Sequence, residues 1–281
     1  MKEINGKLTS ELSAPRPKRT YKDGVFRALF NDEDALLELC SALLGIPYPK
    51  GTPIRIVTLK DTLFGDLKND LAFVIEERLI ILAEHQSTLC PNLPLRMLYY
   101  LAKEYERETY TRAIYSRSLI PLPAPELYVF YNGMEDAPLE QELKLSDAFL
   151  EKRDTIVVEA VVKVINVNYE KGAELLRRCR SMREYSLLIH KIRERYKIDG
   201  NLKAAIAGSI QECREENILT EFLKKNGGEI MSFLFEELSR EEREKSRQQQ
   251  LATAARLKEM GLSPEKFAEA TGLALDEARK L

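Results

Sequence analysis

None of the four cysteines, Cys40, Cys90, Cys179 and Cys213, stands in a C-x-x-C pair, and they lie far apart along the 281 residues. That spacing argues against a disulfide framework or a zinc site. It favours reduced, mostly buried thiols in a cytoplasmic protein. No apolar run approaches the length that crosses a bilayer, so no membrane partner is expected. Met1 to Ser13 alternate charged and apolar residues without an apolar h-region, and no secretory signal is expected there. A strong excess of one charge is missing too, because the formal net charge is −2. Such a chain is not a general DNA-coating protein, although a local basic surface beside an acidic site stays compatible with it. What is present is an ordinary soluble composition, 44% hydrophobic and 31% charged. The length suits one large domain or one domain with an appendage.

Residues 1–20 contain Pro15, Pro17 and the cations Arg16, Lys18 and Arg19, which read as a flexible arm. Asp23 is placed to cap a first helix whose apolar stripe is Val25, Phe26, Leu29 and Phe30. A second helix is expected from Asp34 to Leu44, stopped by Gly45 and Pro47. Strands are expected at Ile54 to Leu59, around Asp70 and Glu84, at Leu127 to Tyr131 and over Thr155 to Val167. After Pro91 and Pro94, a helix carries Leu95, Leu98, Leu101, Ala102 and Tyr105 at core spacing. Beyond Tyr169 the pattern turns helical. The boundaries expected are a core over 21–168, a helical extension over 169–238, a charged linker helix over 239–250 and a small tail over 251–281. In the tail, Ser263 before Pro264 marks a helix start, and Gly261 and Gly272 sit at junctions. Leu257, Met260, Leu262, Phe267, Ala268, Leu273, Leu275 and Ala278 are its candidate core, in a helix-turn-helix-like arrangement.

The stretch Asn69 to Ser87 holds the candidate site. It reads as two apolar strands joined by Glu76-Glu77-Arg78, each strand carrying an acid where a core residue is expected. If Ile75 pairs with Leu79, Asp70 falls opposite Glu84, and Lys68 and Gln86 share their face. Two facing carboxylates repel unless a cation lies between them, and a divalent metal held through oxygen is one solution; a solvated edge pair is the other. His85 points to the opposite face, which favours a packed or solvated ring over a catalytic one. Arg96, Tyr100 and Lys103 recur at i, i+4 and i+7 on the following helix, as a phosphate-binding row or a plain exposed face. The cations from Arg177 to Lys197 are interleaved with Glu174, Glu184 and Glu194, so internal ion pairing is the expectation there, with His190 at a surface.

Asp70 followed by Glu84-His85-Gln86 resembles the PD-(D/E)XK nuclease motif, in the variant with glutamine in place of lysine. The surrounding words resemble the recombination-promoting nuclease (Rpn) family, which also carries a transposase label. They are Tyr21-Lys22-Asp23-Gly24-Val25-Phe26-Arg27, Lys68-Asn69-Asp70-Leu71, Glu84-His85-Gln86-Ser87-Thr88, Asn92-Leu93-Pro94-Leu95-Arg96 and Tyr128-Val129-Phe130-Tyr131-Asn132-Gly133. The resemblance implies a restriction-endonuclease-like α/β core with a mixed sheet flanked by helices. It also implies a Mg2+-dependent (or Mn2+-dependent) DNA endonuclease that promotes recombination or gene transfer. Asp70, Glu84 and the main-chain carbonyl of His85 would hold the metal, and Gln86 would orient a water. Lys68, on the Asp70 face, is the candidate for the missing lysine's charge. DNA is the implied partner, and double-strand cleavage by one metal centre favours a homodimer. The alternative is a DNA- or partner-binding protein on a decayed nuclease fold, since Asn69 stands for the motif's proline and Gln86 for its lysine.

Overall fold

The computed structural model describes residues 24–57, 71–109 and 113–279. Its centre is a six-stranded mixed sheet flanked by helices. Two short helices open it, α1 (Gly24–Leu29) and α2 (Glu33–Leu44). The Asp32 side chain caps α2 by accepting from the Ala35 N–H at 3.0 Å, and Gly45 ends the helix with a left-handed φ of 68°. The strands are β1 (Ile54–Ile56), β2 (Leu71–Ile75), β3 (Leu79–Gln86), β4 (Ala124–Tyr131), β5 (Glu140–Lys144) and β6 (Val161–Asn166), in the order β1-β2-β3-β4-β6-β5. The first three are antiparallel, β3, β4 and β6 run parallel, and β5 closes the far edge antiparallel to β6. Parallel neighbours need a crossover, and α3 (Leu93–Glu108) supplies it between β3 and β4.

Alternation along the strands sorts the side chains onto two faces. Ala72, Val74, Ile80, Leu82, Val129 and Tyr131 pack against α3 through Leu93, Met97 and Tyr100. Phe73, Ile75, Ile81, Ala83, Tyr128 and Phe130 face the other way, toward α1 and α2. The same core takes in Met182, Leu188 and Ile192 of α5 (Arg180–Asp199), which follows the short α4 (Glu174–Arg178). It extends to Ile206 and Ile210 of α6 (Leu202–Glu215) and to Leu223, Ile230, Leu234 and Leu238 of α7 (Thr220–Glu259). The segment expected as a helical extension therefore shares one core with the sheet. The expected linker at 239–250 is part of the unbroken 40-residue α7.

The tail folds back as α8 (Pro264–Thr271) and α9 (Leu275–Ala278). It closes a separate small core of Ala254, Phe267, Ala268, Leu273 and Ala278. Met260 and Leu275, expected inside it, are exposed. The residues expected at 155–158 to begin a strand form an exposed loop, with Val157 90% exposed; β6 starts at Val161. No helix among the described residues is long and apolar enough to cross a membrane.

Candidate functional site at the carboxyl ends of the parallel strands

Gln86, Tyr131 and Asn166 are lateral neighbours, so β3, β4 and β6 end side by side. In open α/β sheets that edge is the usual place for a ligand. The hairpin reaching it has the expected register. Ile75 pairs with Leu79 and, at the far end of β2, Leu71 pairs with Ala83. The next residue on β3 is Glu84; Asp70 and Lys68 lie outside the described residues, as does Asp23. Glu84 and Gln86 share the α3 face of the sheet, and Glu84 is buried at 4% exposure.

A buried carboxylate needs compensation, and Arg96 in the first turn of α3 supplies it by an ion pair to Glu84 Oε2. Burial opposes the charge of Arg96, but the Glu84 carboxylate more than offsets this and holds its pKa above the ordinary value. Gln86 Nε2 donates to the same oxygen at 2.5 Å. Gln86 Oε1 and Arg96 Nε are buried without hydrogen-bond partners, so the cluster has unused capacity for both an acceptor and a donor. Among the described residues no three of His, Cys, Asp and Glu gather as a metal cluster.

The other expected residues separate. His85 lies on the opposite face, 5% exposed, with its ring stacked on Phe26 at 4.9 Å and its Nε2 3.2 Å from the Tyr185 hydroxyl. Its imidazole is packed, as its strand position implied. Tyr100 is not part of an outward row with Arg96 and Lys103. It is fully buried against the sheet, because the inward stripe of α3 is Leu93, Met97, Tyr100, Leu101 and Glu104. Leu95 and Ala102, expected in that stripe, are exposed. Arg96 flanks the stripe and turns inward, whereas Lys103 pairs with Glu106 at 2.7 Å on the outer side.

The basic run after residue 174 is mostly spent on ion pairs. Arg178 meets Glu174 (3.0 Å), Arg195 meets Glu212 (2.6 Å), Lys197 meets Glu194 (2.5 Å), and Lys191 reaches Glu212 and Glu216. Arg193 differs: it donates to Asn132 O (2.6 Å) and Asn168 Oδ1 (3.0 Å), both at the strand ends. Asn166 Nδ2 donates to Ala137 O, while Asn166 Oδ1 accepts from Asn168 N and Nδ2; Asn168 Nδ2 also donates to Gly133 O. The sequence reading missed this buried asparagine cluster. Its available signal was asparagines closing two apolar strands, at Asn132 and at Asn166-Val167-Asn168.

Fold and site together define a mixed α/β protein with a buried polar cluster at the carboxyl edge of its sheet. The chain matches no family model, no curated protein and no solved structure.

Proposed function

We propose that this protein is a Mg2+-dependent DNA endonuclease with a restriction-endonuclease-like core. The observation that carries the reading is the β2–β3 register, in which the last described pair is Leu71 with Ala83 and Glu84 follows. Asp70 lies outside the described residues; the expectation that it faces Glu84 is supported by the register the hairpin keeps from Ile75–Leu79 to Leu71–Ala83. The donor chemistry fits the ion: Glu84 and Gln86 offer oxygens on one face, and Gln86 Oε1 is buried without a partner. Hard oxygen donors suit Mg2+ or Mn2+. Asp70, Glu84 and the His85 carbonyl would hold the metal, which when bound activates water and offsets phosphate charge.

The chain's own groups supply the rest. Gln86 orients a water through its amide, since it has no proton to give or take near neutral pH. Arg96, with an unused Nε beside Glu84, is the phosphate-binding cation of this site. Lys68, outside the described residues, is the candidate for the charge of the motif's missing lysine.

One observation favours a second reading, a binding protein on a decayed nuclease fold. Arg96 pairs directly with the buried Glu84 carboxylate. Supercoiled plasmid incubated with Mg2+ or Mn2+ separates the two. Nicking by wild type that Asp70→Ala and Glu84→Gln both lose, with Lys68→Ala slowed, supports the nuclease. Intact plasmid with folded wild type across both metals sinks that reading and leaves the binding protein.

A further inference from the structure

On the α5 face of the same sheet edge lies a cleft of about 270 Å³. Asn132, Gly133, Asn168, Tyr169, His190 and Arg193 are among the residues that line it. Asn132 ends β4, and its N–H donates to Gln86 O at 3.0 Å, so the cleft adjoins the strand that carries Glu84 and Gln86. The three buried asparagines here are not equivalent. Asn166 and Asn168 spend their carboxamides on the backbone and on each other, and Asn168 also accepts from Arg193. Asn132 is equally buried, at 3% exposure, yet neither Nδ2 nor Oδ1 has a hydrogen-bond partner. A buried amide with both groups unmet is costly, and its main chain is pinned by Gln86 and Arg193. Such a group is preorganised for a ligand edge that offers one donor beside one acceptor.

The nucleobase edge is that kind of partner, and adenine's N6 and N7 match an asparagine carboxamide in both groups. The cleft also has an aromatic wall, where the rings of Tyr169 and His190 meet at 5.7 Å and 36°. Glu170 holds His190 in place at 3.3 Å. Tyr169 is 37% exposed and so has ring surface to offer. Unpaired bases stack on such surfaces. The volume suits one nucleotide and not a duplex.

We propose that this cleft binds a single unpaired nucleobase, adenine fitting best, read by the Asn132 carboxamide and stacked on the Tyr169–His190 wall. The proposal deepens the nuclease reading by naming an unpaired nucleotide as the part of the substrate held at the same sheet edge, on the face opposite Glu84 and Gln86. It rests on that reading for the choice of DNA. A free nucleotide presents the same edge.

The test is fluorescence anisotropy of a labelled single-stranded oligodeoxyadenylate in EDTA, with a blunt duplex, 5′-dAMP and deoxyribose 5-phosphate as the other probes. Asn132→Leu and Tyr169→Ala are each expected to weaken single-strand binding about tenfold while leaving duplex binding unchanged. Asn132→Leu is expected to melt no lower than wild type, because it removes an unmet amide. Competition by 5′-dAMP and not by the base-free sugar phosphate assigns a free nucleotide as a source. Strand binding that needs Asn132 but resists 5′-dAMP assigns the base within a strand. Equal affinity in wild type and both variants, or no single-strand binding by wild type, overturns the proposal, and so does unfolding caused by Asn132→Leu. Tyr169→Ala sits on the rim and keeps the stacking test independent of core folding. With metal chelated, this readout is separate from the plasmid result: a protein that binds the base and never cuts loses the nuclease reading alone.

Discussion

Glu104 carries a carboxylate on α3 with no exposed surface, held by Arg107 one turn further on at 3.1 Å. Burial raises its pKa to about 7, and the Arg107 charge offsets part of that rise. The folded state then binds this proton more tightly than the unfolded chain does. The resulting stability is complete below the ordinary carboxylate range, near 4.5, and is lost as pH climbs toward 7. Urea midpoints at pH 5 and pH 7.5 should show wild type losing about 2–3 kcal/mol relative to Glu104→Gln, which has no proton to release. Parallel pH profiles for the two proteins would remove Glu104 as the cause. Glu104 was not legible beforehand, because an acid in a helix rich in acids and bases reads as a solvent-facing residue. Glu84 was legible, since it interrupts an apolar strand. What composition could not show is that Arg96 would be drawn inward to meet it. Gly133 makes a similar point: a Cβ there would run into Ser87 O and the Tyr131 ring, a close approach that the Asn-Gly turn only hinted at.

Among the elements, the β2–β3 hairpin was read in the right register because period-two burial leaves little choice when both strands are apolar. Its turn is held by the Arg78 N–H donating to Ile75 O at 3.0 Å, with Glu76 and Glu77 at φ of 51° and 53°. Two adjacent positive φ values match the right-handed twist of a hairpin, but they suit glycine or asparagine better than glutamate. Glu77 is compensated by Arg55 at 3.0 Å. Glu76→Gly should therefore raise stability by about 1 kcal/mol, read as a higher urea midpoint at unchanged slope. A lower midpoint would show that freedom gained by the unfolded chain outweighs the strain relieved. Helix α3 was placed correctly, and Leu98, Leu101 and Tyr105 pack on the core as expected; Leu95 and Ala102 are exposed instead, and Tyr100 and Glu104 join the buried stripe. Strand β5 went unread because an edge strand with polar residues facing out, Glu140-Gln141-Glu142, carries no apolar alternation to find. The β-branched run at 155–158 misled in the opposite sense, being exposed loop.

For the molecule as a whole, the helical extension expected from the change in texture at Tyr169 shares its core with the sheet. Sequence can show that a segment is helical; it cannot show which face of a sheet that helix covers. On the sheet's second face, Tyr185 of α5 meets His85 of β3 and Phe26 of α1, so this helix belongs to the same core as Phe73, Ile81 and Phe130. The small tail core, expected from about residue 251, is a separate cluster that the far end of α7 joins. The first half of α7 buries Ile230, Leu234 and Leu238 in the main core, and its far end gives Ala254, with Leu251 and Leu257 beside it, to the tail cluster. A helix of 40 residues spans about 60 Å. Two cores joined by one helix can unfold as two cooperative units. A chain ending at Ser246 keeps every residue of the main core and loses the tail cluster entirely. Its main thermal transition should stay within about 2 °C of the full chain's, with helical ellipticity reduced by the missing segment. A main transition that fell by far more would mean that the tail and the sheet core unfold as one unit after all.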